Sequence, residues 1–216
     1  MNILEIKGSG SCIGSGVSRP ITYPARPING GPLPKAPPKS GLWYYEPKVN
    51  GWRTLVHVPT GAMFNRKNQR LSIESEFSTS LKLLRERFPA YEWLDCEALE
   101  RRHGIGRGSL IVLDIVIAGK TYRERFDLIS DTLGYANCIG SGITVPAANG
   151  IYRLPHWENH RDFGLQVWQE LQDANKTLGV PFYEGLVAKR ADSLYPFQLR
   201  SPDLEFPFWT KHRWAF

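Results

Sequence analysis

The sequence predicts an α+β domain in which antiparallel sheets are flanked by helices. Two observations carry that prediction. Segments rich in β-branched and aromatic residues outnumber segments with helical periodicity, and several neighbouring strands read as hairpins. The chain has 216 residues, 42% of them hydrophobic, with seven Trp, enough to bury the core of one domain or of one domain plus a tail. No internal repeat is visible.

From Gly8 to Gly41 the chain is dominated by Gly, Ser and Pro, without helical or strand periodicity. Residues 1–41 therefore read as an extended arm, partly polyproline-like, which Arg19, Arg26, Lys35 and Lys39 make basic. Such an arm suits either a tether along a nucleic-acid backbone or a linker packed over the domain.

The folded part, 42–216, begins near Leu42. Trp43-Tyr44-Tyr45 and Thr54 to Val58 read as strands on either side of Lys48, and Pro59-Thr60-Gly61 turns into a strand at Ala62 to Asn65. From Ser72 to Phe88, Ile73, Phe77, Leu81, Leu84 and Phe88 recur at helical spacing, and Pro89 ends that helix. Tyr91 to Leu99 alternates as a strand, and Leu110 to Ile117 reads as a buried one. Thr121 and Glu124 form a capping-box pattern that opens a helix to about Leu133, with Tyr122, Phe126, Ile129 and Leu133 inward. A short strand at Ile151 to Leu154 precedes a helix from about Arg161 to Leu178, with Phe163, Val167, Trp168 and Leu171 inward. Strands at Gly185 to Arg190 and Phe206 to Trp214 close the chain.

The net charge of +6 and a pI near 9.3 favour a polyanionic partner. Three cysteines, Cys12, Cys96 and Cys138, lack metal-ligand spacing and fit a reduced, cytoplasmic chain. The first residues are too short and too charged for a signal peptide, and no apolar run is long enough to span a membrane.

Within this frame Glu46-Pro47-Lys48-Val49-Asn50-Gly51-Trp52-Arg53 is the stretch with most chemistry. Gly51 lets the backbone turn sharply or come close to a ligand without a Cβ in the way. A lysine amine, once neutral, attacks phosphorus or carbonyl carbon and forms a covalent adduct. Alone, Lys-x-x-Gly is better explained by an exposed lysine beside a hairpin glycine. Four further segments accompany it: Leu94-Asp95-Cys96-Glu97, Val112-Leu113-Asp114, Glu184 to Lys189, and Trp209-Thr210-Lys211-His212-Arg213, whose two cations share one strand face.

These segments, in this order, resemble the signature of the covalent nucleotidyltransferase superfamily of ATP-dependent DNA ligases, RNA ligases and mRNA capping enzymes. The resemblance runs from about Leu42 to the C-terminus and is nearest to the DNA ligases, through Arg53, the Leu94–Glu97 element and the Glu124-Arg125 pair. It implies the nucleotidyltransferase (ATP-grasp-like) ligase catalytic fold, with ATP and Mg²⁺ (or Mn²⁺) as cofactors. It also implies nicked duplex DNA as partner, with RNA possible, and a monomer of bacterial, viral or phage origin.

Site roles follow from the same resemblance. Lys48 would attack the α-phosphate and hold AMP through a phosphoamide. Glu46 would lie at the adenine end, and Glu97 would accept hydrogen bonds from the ribose. Arg53 and Arg66 would contact ribose and phosphate, and later the 5′-phosphate of the nick. Leu113 occupies a place where relatives often stack an aromatic ring on adenine. Glu184 would position Mg²⁺, and Lys189, Lys211 and Arg213 would bind the α-phosphate and the leaving pyrophosphate.

The chain departs from the DNA ligases at Asn50, where they usually carry Asp, at Leu113, and at Arg213, where Lys is usual. Phe64 or another ring could compensate for Leu113. The chain stops just past the last motif, so an adenylation domain without the oligonucleotide-binding (OB) barrel of its relatives is expected. The residues leave three other readings open: an RNA ligase, a GTP-using capping-type guanylyltransferase, and a degenerate nucleotide or nucleic-acid binding module.

Overall fold

A computed structural model describes residues 24–31, 33, 41–100, 104–136, 138, 145–158, 161–197 and 204–214, the last helix without the side chains of 161–164. Cys12, most of the expected arm and the side chain of Phe163 lie outside these residues.

Two five-stranded sheets organise the fold. The first has the order β1-β10-β9-β2-β8, built from β1 (Arg26–Asn29), β10 (Glu205–Arg213), β9 (Tyr183–Arg190), β2 (Trp43–Val49) and β8 (Trp157–Glu158). The second has the order β4-β3-β5-β6-β7, from β4 (Ala62–Phe64), β3 (Trp52–His57), β5 (Trp93–Leu99), β6 (Ser109–Ile115) and β7 (Ile151–Arg153). Among the described residues three α-helices, α1 (Ser78–Arg87), α2 (Tyr122–Leu133) and α3 (Arg161–Leu178), complete the α+β architecture. Most neighbours are antiparallel, but β1 runs parallel to β10 and β7 parallel to β6.

The expected elements form close to where residue patterning places them, with informative differences. The helix expected from Ser72 starts as a 3-10 turn at Glu74–Phe77 and becomes α-helical only at Ser78. Its apolar stripe does its work: Phe77, Leu81, Leu84 and Phe88 are buried against Leu94, Cys96, Ala98 and Val112 of the second sheet. The capping box forms as read, with Glu124 N–H donating to Thr121 Oγ1 and Thr121 N–H donating to Glu124 Oε2, at 3.3 and 2.7 Å. Val167, Trp168 and Leu171 of α3 pack on the first sheet, against a core that includes Tyr45, Tyr183 and Leu186.

Two readings need correction. Four residues expected in the arm form β1, because the backbone of Arg26–Asn29 pairs with Glu205 to Lys211 and Ala25 and Leu33 are buried on either side. And Lys48, read as lying between two strands, is within the first of them, Trp43–Val49; β2 pairs with β8 and β9, whereas β3 pairs with β4 and β5. Asn50 and Gly51 carry the chain from one sheet to the other. Lys48 is the penultimate residue of β2, at the seam where the sheets meet.

Candidate active site

The seam is a cavity of about 650 Å³. From the first sheet it is lined by Glu46, Lys48, Val187, Lys189, Trp209, Lys211 and Arg213, with Arg26 from β1. From the second it takes Arg53, Asp95, Glu97 and Leu113, and from the turn after β4 it takes Arg66. Two site candidates stand apart. Asn50 points its amide at the Pro181 carbonyl, 3.4 Å away, and lines no part of the cavity. Glu184 is not on the wall either, but it reaches Lys48.

Strand register explains why these residues converge. Across the first sheet, Arg213, Gly185 and Lys48 form one row, Lys211, Val187 and Glu46 the next, and Trp209, Lys189 and Tyr44 the third. Alternation on pleated strands then puts 209, 211 and 213 on one face, as the sequence spacing anticipates. Between Lys48 and Val49 the register slips: Lys48 pairs with Gly185 and Val49 with Tyr183, so Glu184 is the extra residue of a bulge. A bulge re-aims a side chain that strict alternation would send to the other face. Glu184 Oε2 accordingly lies 2.5 Å from Lys48 Nζ and 3.2 Å from an Arg213 terminal nitrogen.

The glycines beside the lysine are there for closeness. A Cβ on Gly51 would come within 2.8 Å of Glu97 Cγ and of the Ala98 carbonyl, so only glycine lets β2 cross against β5. Gly185 has φ of +142°, and a Cβ there would stand 1.9 Å from the His212 carbonyl oxygen. The row between Lys48 and Arg213 is therefore left without a side chain.

The closed end of the cavity is an ion pair in an aromatic box. Lys189 Nζ donates to Glu46 Oε2 at 2.9 Å and to the Leu113 carbonyl at 3.0 Å. It lies 4.6 Å from the ring centre of Tyr122 and 4.9 Å from that of Trp209. The Tyr122 hydroxyl donates to the other Glu46 oxygen. Burial pushes the Glu46 carboxyl above its ordinary range, and Lys189 pulls it back. Phe64 does not serve as the compensating ring, because it is buried beside Leu55 and Ala62 and lines no part of the cavity; Trp209 and Trp52 are the aromatic residues among the described ones that line it.

On the opposite wall Arg53 makes a two-pronged bond to Asp95, at 3.0 and 2.6 Å. The Tyr195 hydroxyl donates to the same carboxylate at 2.9 Å. Burial raises the Glu97 carboxyl to about 7; Lys48 and Arg53 oppose the rise, while Asp95 and Glu184 add to it. Burial also lowers the Lys211 ammonium, helped by repulsion from Arg213 and Arg26.

Among the described residues no three His, Cys, Asp or Glu side chains cluster as a metal cage. Glu184, ion-paired with Lys48 at 2.5 Å, is the carboxylate whose chemistry fits a Mg²⁺ ion held largely through water and phosphate oxygens. The sequence reading gave no role to Asp95, Tyr122, Tyr195 or Trp209. Asp95 and Trp209 stand inside the motif segments, so a strand-face count could have found them; Tyr195 lies in a motif-free stretch that offers no signal.

Two sheets thus meet at a lysine-bearing strand end, against a wall of carboxylates and cations. No protein-family model matches the sequence, and no curated protein matches it. Solved structures do. The ligase domain of LigD from M. tuberculosis is similar with a TM-score of 0.58 and 20% identity, over 89% of this chain and 59% of that one. A Lig E DNA ligase gives 0.55 and 11%, over 89% and 69%. The adenylated Chlorella virus DNA ligase gives 0.50 and 17%, over 83% and 64%. The fold is thus that of the DNA ligase nucleotidyltransferase domain. The chain spans 59% and 60% of the length of two mycobacterial structures that it matches, the second of them a DNA ligase D in complex with ATP and MES.

Proposed function

We propose that the protein is an ATP-dependent polynucleotide ligase, acting on nicked duplex DNA through a lysyl-AMP intermediate. One observation carries this reading: Lys48 opens onto a single cavity shared by Glu46, Arg53, Glu97, Lys211 and Arg213, in a fold otherwise met in DNA ligases. In the first step the neutral Lys48 amine attacks the α-phosphorus of ATP, the P–N bond forms, the α–β P–O bond breaks and pyrophosphate leaves. Lys48 must first give up its proton and leave its ion pair, and Glu184 is the acceptor within reach. AMP then passes to a 5′-phosphate, and the attack of a 3′-hydroxyl on that activated end releases AMP.

The chain's own residues supply position and charge. Lys211 and Arg213, on the same strand face as each other and level with Glu46 and Lys48, face the phosphates. Arg53, fixed by Asp95, is preorganised for the ribose-phosphate or the 5′-phosphate of the nick. Glu97 stands against the Lys48 turn as acceptor for a ribose hydroxyl. Mg²⁺ at Glu184 would add neutralisation of phosphate oxygen charge.

Incubation with α-labelled ATP or GTP and Mg²⁺, followed by denaturing electrophoresis, tests this. Label on the wild type with ATP, and none on Lys48→Ala, is expected. Preference for GTP would move the reading to a guanylyltransferase, and no label with either nucleotide would leave a binding module. Sealing of nicked DNA against nicked RNA decides the substrate.

A further inference from the structure

Tyr122 lines no part of the cavity, yet its hydroxyl donates to Glu46, which does. The fold of α2 sets where that hydroxyl stands. The capping box fixes the first turn, and the Tyr122 N–H donates to the Ser193 carbonyl at 2.7 Å. The ring is fully buried and packs against Tyr44 and Phe126, with centres 6.1 and 6.2 Å away.

Glu46 takes a second hydrogen bond on its other oxygen, from Lys189 at 2.9 Å. Lys189 is itself committed, to Glu46 and to the Leu113 carbonyl, and lies over the Tyr122 ring. A carboxylate has about four lone-pair sites. With two of them filled, Glu46 keeps room to accept, and while charged it has nothing to donate. Glu46 and Lys48 are two residues apart on one face of β2. With an α-phosphate at Lys48, an acceptor at Glu46 suits a base that offers an amino group and opposes one that offers a carbonyl there.

We propose that Tyr122 is a positioning residue for nucleotide selection: acting through Glu46, it holds that carboxylate as the acceptor that favours an amino-bearing base. This deepens the ligase reading by assigning its choice of nucleotide to a residue outside the cavity. It rests on the cavity taking a nucleoside triphosphate at Lys48.

The groups around Glu46 give the sign of a pH effect. Burial raises its carboxyl; Lys189 of β9 and the Tyr122 hydrogen bond oppose the rise, and Asp114 of β6, tied to Arg125, adds to it. Lys211 of β10 stands in the same row of the sheet. Burial and the Glu46 charge push the Tyr122 phenol well above its ordinary value, so it stays a donor. Without that phenol, Glu46 takes up a proton at higher pH and turns from acceptor to donor.

The test is calorimetric titration with ATP and with inosine triphosphate, which carries a carbonyl in place of the 6-amino group. EDTA is present, so that no adenylation occurs. The wild type is expected to bind ATP about tenfold more tightly than the inosine nucleotide. Measured from about pH 8 down to about pH 5.5, that preference should collapse at a higher pH in Y122F than in the wild type. In an E46Q background, adding Y122F should change the ratio by less than about twofold. A wild-type ratio near one, which is read without any variant, would overturn the proposal. So would coincident profiles for wild type and Y122F, or a Y122F effect that survives in E46Q. Labelling of Lys48 by α-labelled ATP with Mg²⁺, on the same preparations, reports the chemistry separately. Nucleotide preference without labelling sinks the ligase reading and leaves the role of Tyr122 intact; labelling with coincident profiles does the opposite.

Discussion

Glu97 shows how one residue can be tuned by everything around it. It lies on β5 opposite Arg53, close enough to Gly51 that no Cβ fits between them. Burial lifts its carboxyl from 4.5 to about 7. The folded chain therefore binds that proton more tightly than the unfolded chain does. The stability it confers is complete below about pH 4.5 and is lost as pH rises to about 7. Glu97→Gln keeps the shape and removes the titration. Urea midpoints measured from pH 5 to pH 7.5 should fall more for the wild type than for the variant. Parallel slopes would mean that the fold does not raise the Glu97 carboxyl.

At the scale of elements, α2 is the part whose placement controls the closed end of the site. The capping box fixes where the helix begins, which puts Tyr122 in its first turn and its hydroxyl on Glu46. One residue past the capping glutamate, Arg125 pairs with Asp114 of β6 at 2.6 and 3.0 Å, both side chains fully buried. The same guanidinium donates to the carbonyls of Lys120 and Ser193. The Glu124-Arg125 pair, read in the sequence as a family marker, is in the structure a helix cap and a buried tie. Removing one partner of such a pair leaves a buried charge without compensation. Arg125→Ala is expected to cost about 3–5 kcal/mol in chemical denaturation. A loss under about 1 kcal/mol would show that water reaches Asp114 and that the tie is dispensable.

For the whole molecule, the decisive property is the charge carried at the seam. The net charge is +6, and Lys211, Arg213, Arg26, Arg66 and Lys67 all line one cavity. Binding to nicked duplex should then be dominated by phosphate contacts and fall steeply with salt. If about five phosphates are neutralised, affinity should drop by two to three orders of magnitude between about 50 and 200 mM salt. A flat response in a fluorescence anisotropy titration of a labelled nicked duplex would rule out this face as the nucleic-acid surface. No helix among the described residues is long and apolar enough to cross a membrane.

Periodicity and capping are local, so the sequence by itself determined the α+β class, the start of α2, the span of α3, the inward face of α2 and the burial of Val167, Trp168 and Leu171 on α3. Spacing of two along a strand is local as well, and it put Lys211 and Arg213 on one face. What only the tertiary structure decided depends on which strand lies beside which. The slip that turns Glu184 toward Lys48 exists only once β2 and β9 are paired. Asn50, two residues from the lysine, turns out of the cavity because the chain is already crossing to the second sheet there. Arg26, from a Gly- and Pro-rich stretch without strand periodicity, joins the wall because a free edge of β10 accepts its backbone. Hydrogen bonding between distant strands is a long-range condition, and no single segment carries it.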